Sequence, residues 1–112
     1  MDVYKFKVAL MYDKRTYTEI ELLENHTLEQ LHHIIFKAFD RYEEHLYSFF
    51  LTRKATKSKR TIFDSQEFTS PIALEDDLVF WKKEKNDASK TQIRDLDLVI
   101  KDKIYYLFDF GD

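Results

Sequence analysis

Apolar and polar positions alternate strictly along VYKFKVAL, which places Tyr4, Phe6, Val8 and Leu10 on one face, with Tyr12 continuing it, and Lys5 and Lys7 on the other. A period of two is the mark of a strand with one buried face. Residues 17–23 repeat it, with Thr18, Ile20 and Leu22 opposed to Tyr17, Glu19 and Glu21. Asp13-Lys14-Arg15-Thr16 between them reads as the turn, so residues 3–23 are expected to form an antiparallel hairpin. The period then changes. Thr27-Leu28-Glu29-Gln30 has the form of a capping box, and Leu28, Leu31, Ile34, Ile35, Ala38 and Phe39 follow at helical spacing. His45 to Thr52 is a run of aromatic and apolar residues that predicts the next strand, Thr61–Phe63 a short one, and Lys103–Phe110 a last one. Asn86–Lys90 reads as a loop. Leu96–Ile100 is a short apolar run, and Leu78–Trp81 fits either a strand or a helical turn.

Strand, strand, helix and further strands give an α+β chain, and the order suggests a β-grasp, a ubiquitin-like mixed sheet with one main helix across it. On that expectation the last strand lies beside the first, and Leu31, Ile35 and Phe39 bury against Phe6, Val8 and Ile20. A ferredoxin-type sandwich would require a second strong helix, which the pattern lacks. At 112 residues the chain is expected to be a single domain, 1–112.

Composition narrows the functions. Aromatic residues make up 16% of the chain, too many for a disordered segment. The formal net charge is −3, so the molecule as a whole is no glove for nucleic acid. Cysteine is absent, which removes thiolate nucleophiles, thiolate zinc sites and disulfides from consideration. No apolar run approaches the ~20 residues of a membrane span, and the start of the chain lacks a signal-peptide stretch. The expectation is a cytoplasmic protein with no membrane partner.

Three features bear on chemistry. Asp109-Phe110-Gly111 matches the magnesium-binding tripeptide of protein kinases. Gly111 is the chain's single glycine, so the Gly-rich loop which that chemistry requires is absent. A strand ending accounts for the tripeptide better, with Tyr106, Phe108 and Phe110 on one face. His32, His45, Asp109 and Asp112, which sit in the motifs TL..LH, HL..F and Y.YDFGD, are the metal-ligand candidates, imidazole and carboxylate suiting zinc, manganese or iron. They form no HxH or HxxxH cluster, and the simpler expectation for His32 is a core-edge residue hydrogen-bonded locally. Arg53, Lys54, Lys57, Lys59 and Arg60 put five cations into eight residues. They are the nucleic-acid candidates, set against a merely solvated loop. The residues call for no cofactor.

Thr27-Leu28 with Leu31-His32, then His45-Leu46-Tyr47 with Phe49, then Tyr106-Leu107-Phe108-Asp109-Phe110-Gly111-Asp112 occur in the order TL..LH, HL..F, Y.YDFGD. In this the chain resembles the plasmid pRiA open-reading-frame-three-like family, also known as insertion-sequence passenger proteins of TnpR type. The resemblance implies a β-grasp with added elements and a mobile-element origin. It implies no mechanism. Asp40 and Arg41 stand where that family has Gly and an aromatic residue. The family continues past Asp112 into a Trp and a His, so the resemblance implies either a short member or a chain truncated at its C-terminus. With no catalytic motif assembled, the reading is a small non-enzymatic binding module with an unknown protein partner. A nucleic-acid-binding accessory protein using Arg53–Arg60 is the alternative. A metal-dependent hydrolase centred on His32, His45 and Asp109 is the second.

Overall fold

The computed structural model describes residues 2–10, 13–39, 46–71 and 85–108. Strands β1 (Val3–Leu10) and β2 (Asp13–Leu23) form the expected antiparallel hairpin. Phe6 faces Ile20 in the register, and Ile20 and Leu22 are buried while Tyr17, Glu19 and Glu21 face out. On the outer face Lys5 pairs with Glu21 and Lys7 with Glu19, cross-strand opposites that favour this register. Asp13–Thr16 is not the turn. Asp13 opens β2, and its carboxylate accepts hydrogen bonds from the Arg15 amide at 3.3 Å and the Thr16 hydroxyl at 2.9 Å.

Helix α1 (Leu28–Ala38) starts on the capping box: the Gln30 amide donates to the Thr27 hydroxyl and the Thr27 amide to the Gln30 side chain. Its buried stripe is Leu28, Leu31, His32, Ile35 and Phe36, while Ile34 and Ala38 are exposed. That stripe is rotated from the expected one because α1 packs against more than the hairpin. Ile20, Leu22, Leu28, Leu31 and Ile35 share one apolar cluster with Tyr47, Phe49, Phe68, Ala88, Ile93 and Leu96. Phe6, Val8 and Phe39, expected to bury within the core, flank it half-buried.

The second sheet is built from β3 (Tyr47–Leu51), β4 (Gln66–Thr69), β5 (Lys85–Asp87) and β6 (Ile104–Phe108), in the order β5-β4-β3-β6. The β4–β5 pair is parallel and the others antiparallel. The last strand therefore lies beside β3, not beside β1, and the hairpin forms a sheet of its own. The fold is α+β, with two sheets and one main helix.

Two local expectations are corrected. Thr61–Phe63 lies inside a short helix, α2 (Lys59–Asp64), because the Ser58 hydroxyl caps its first turn and one turn suffices to bury Ile62. Residues 86–90 are not a loop but the end of β5 and a 3-10 turn, Ala88–Lys90, in which the Asp87 carboxylate accepts from the Ser89 amide. A second 3-10 turn, Ile93–Leu96, is tied to the start of α1 by the Leu28 amide donating to the Thr91 carbonyl and the Ile93 amide to the His26 carbonyl. Leu78–Trp81 lies outside the described residues. No helix among the described residues is long and apolar enough to cross a membrane.

Leu31 is 2% exposed and Ile34 38%. Leu31→Ala should destabilise the protein by about 2–5 kcal/mol. Ile34→Ala on the same helix should cost less than about 1.5 kcal/mol. Urea unfolding of the two variants checks the rotated stripe; equal losses would contradict it.

Candidate functional site

Helix α1 and the second sheet meet at an aromatic centre. His32, 3% exposed, stacks on the Tyr47 ring at 3.8 Å with the planes 9° apart, and its Nδ1 lies 2.5 Å from the Tyr106 hydroxyl. Phe36 and Phe49 close the sides of the group. Burial removes the water that would stabilise an imidazolium, and neighbouring His33 adds to the effect, so His32 titrates near about 4 instead of 6.5. Burial likewise raises both phenols, Tyr47 helped by Glu29 and Asp87 and Tyr106 by Tyr47. At neutral pH the centre is a hydrogen bond between two neutral groups. Among the described residues, no three His, Asp or Glu side chains gather as metal ligands would. The hydrogen-bond partner of His32 is thus not local in sequence but 74 residues away. His45, Asp109 and Asp112 lie outside the described residues.

A second construction lies at the end of β3. Arg53 Nη1 donates to Asp102 Oδ2 at 2.7 Å and to the Asp97 carbonyl at 3.2 Å, and Nη2 donates to the Leu96 carbonyl at 2.6 Å. Asp102 Oδ2 also accepts from the Val99 amide, and the Arg53 amide donates to the Lys103 carbonyl. The three non-glycine residues with positive φ among those described are all here: Arg53 at 66°, Asp97 at 50° and Lys101 at 76°. Each such conformation costs about 1–3 kcal/mol and persists only where its surroundings impose it. The guanidinium clasp does so, and it fixes loop 97–103.

That loop holds two apolar side chains in solvent, Val99 at 68% exposure and Ile100 at 92%. With Leu98 they form one wall of an open groove of about 340 Å³, whose other wall is Asp2, Val3, Tyr4 and Lys5 at the start of β1. Among the described residues β1 pairs with β2 alone, and no described strand covers its opposite edge. Leu96–Ile100 had been legible only as an apolar run; the clasp that turns Val99 and Ile100 outward joins residues far apart in sequence.

The basic run divides. Arg53 is engaged in the clasp, whereas Lys54, Lys57, Lys59 and Arg60 are exposed, with Arg60 3.8 Å from Asp64 one helical turn on. The segment carrying them is held at several points. The Thr56 amide donates to the Tyr105 hydroxyl at 2.9 Å, which in turn donates to the Thr56 carbonyl at 3.0 Å. Thr52 Oγ1 donates to the Lys54 carbonyl, and the Ser58 amide to Thr56 Oγ1.

Compared with known proteins, residues 2–112 match the family described as plasmid pRiA4b ORF-3-like protein, and the chain belongs to that family. No curated protein and no solved structure is significantly similar to it.

The buried imidazole sets a pH dependence. Between pH 6.5 and 4 the unfolded chain takes up a proton at His32 that the folded chain refuses, so stability is full above the window and falls as pH drops through it. The shift corresponds to a loss of about 2 kcal/mol by about pH 4.5. Urea unfolding at about pH 7.5 and pH 4.5 should show this loss in the native chain and a smaller one in His32→Gln. Equal losses would mean that the imidazole is not held neutral by the fold.

Proposed function

We propose that this family member is a non-enzymatic protein-binding module of mobile-element origin, whose partner supplies an extended, apolar segment to the groove between β1 and loop 97–103. The observation that carries the reading is the display of Val99 and Ile100 on a loop held rigid by the Arg53 clasp. Exposed side chains of this kind are usually retracted into the core or left on pliable loops. Here three left-handed residues and the hydrogen bonds of the Arg53 clasp keep them outward, which is how an apolar contact is prepared for a partner. The edge of β1 that no described strand covers offers backbone donors and acceptors beside it, so a strand added there gains hydrogen bonds while its alternate side chains cover Val99 and Ile100. Preorganisation lowers the ordering cost of such binding.

The reading is tested by selecting displayed peptides on the purified protein and mapping the amides that shift on titration. Recovered peptides should alternate apolar and polar residues and shift amides 3–5 and 98–100. Ile100→Asp should weaken them at least about tenfold, a loss of about 1.4 kcal/mol, with the melting temperature unchanged because the side chain is exposed. Peptides mapping elsewhere, or binding indifferent to Ile100→Asp, would overturn the assignment.

A further inference from the structure

The five cations of residues 53–60 weigh heavily on the charge distribution. Without them the rest of the chain holds thirteen basic against twenty-one acidic residues, so the run is a positive island on a negative molecule. A solvated loop of lysines would be mobile, and each cation would lose freedom on meeting an anion. This segment is not built that way. Arg53 is fixed by Asp102 and two carbonyls, Thr56 by both hydrogen bonds to Tyr105, and Lys59 and Arg60 by the turn of α2 that Ser58 caps. Lys54 and Lys57 sit between those anchors. On α2 next to the cations, Phe63 is 47% exposed, and its ring meets Phe50 edge-on at 5.3 Å and 82°. The contact with a buried strand residue orients the exposed ring.

We infer that Lys54, Lys57, Lys59, Arg60 and Phe63 form a binding site for single-stranded nucleic acid, separate in residues from the groove beside β1. Cations carried on an anchored backbone, next to an oriented aromatic face, are the two parts such a site needs. The cations follow the phosphates and release condensed counterions, while the ring stacks on a base without reading its identity. An acidic protein segment would use the cations and leave the ring idle, so the aromatic neighbour favours nucleic acid. A duplex keeps its base faces stacked away from Phe63, so the ring favours a single strand.

The test is fluorescence anisotropy of the intact protein with a labelled oligothymidylate of about 20 nucleotides, between about 50 and 200 mM salt. Binding should weaken with salt at a log–log slope of about −2 to −3, as four phosphate contacts on a single strand require. Lys54→Ser/Lys57→Ser/Lys59→Ser, all exposed positions, should weaken binding at least about tenfold and lessen the slope by about 2. Phe63→Leu, which keeps an apolar group against Phe50, should weaken binding about threefold or more and leave the slope unchanged. Circular dichroism of both variants confirms that they are folded. No binding at about 50 mM salt, affinity indifferent to both variants, or equal affinity for polyglutamate would overturn the inference.

Discussion

Strand β3 is buried on both faces, and the rest of the molecule is arranged to keep it so. Residues 47–51 are all buried. One face, with Tyr47, Phe49 and Leu51, meets α1 and the hairpin core; the other, with Ser48 and Phe50, meets α2 and a polar cluster. Five residues cannot cover themselves, so elements from both ends of the chain must close over them. Polar atoms drawn into this space are mostly paired: Ser48 lies 2.7 Å from Glu67 and 2.8 Å from Thr69, and Thr69 donates to the Tyr47 carbonyl. The Tyr47 hydroxyl is a buried group with no hydrogen-bond partner among the described residues. Its ring carries the stack against His32.

Both proposed surfaces grow from the end of that strand. Where β3 stops, Arg53 turns into the left-handed region and its guanidinium reaches the carbonyls that end the Ile93–Leu96 turn. The main chain thereby leaves toward the basic segment while the side chain fixes the apolar loop. A lysine could not replace it, since one ammonium cannot serve two carbonyls and a carboxylate in the fork geometry of a guanidinium. Arg53 thus couples a ledge suited to a protein strand with a cationic segment suited to nucleic acid, although it is exposed to neither as a free charge.

Periodicity made the local elements legible. The hairpin alternation, the Thr27–Gln30 capping box and the last strand, expected over Lys103–Phe110 and described as Ile104–Phe108, all follow from spacings within a few residues. What fails is whatever depends on pairing between distant segments. Nothing in residues 103–108 says whether β1 or β3 is the neighbour, because Tyr106 suits either face. His32 looked like the edge of a stripe, and only the meeting of α1 with β3 and β6 made it central. α2 was misread as a strand because Thr61-Ile62-Phe63 has β-favouring residues, and the Ser58 cap outweighed them. Arg53 was counted with its basic neighbours, since sequence does not reveal that Asp102 faces it.

Native-state hydrogen exchange tests the central claim, that doubly buried β3 is the axis of the fold, most directly. The amides of Phe49 and Phe50 should exchange only through global unfolding, with the largest opening free energy in the chain. The hairpin should open below that limit, and the Thr56 amide, bonded to Tyr105, should exchange more slowly than that of exposed Lys57. If β3 amides exchange through an opening that leaves the β1–β2 hairpin protected, the hairpin is the stable unit and this account of the fold is wrong.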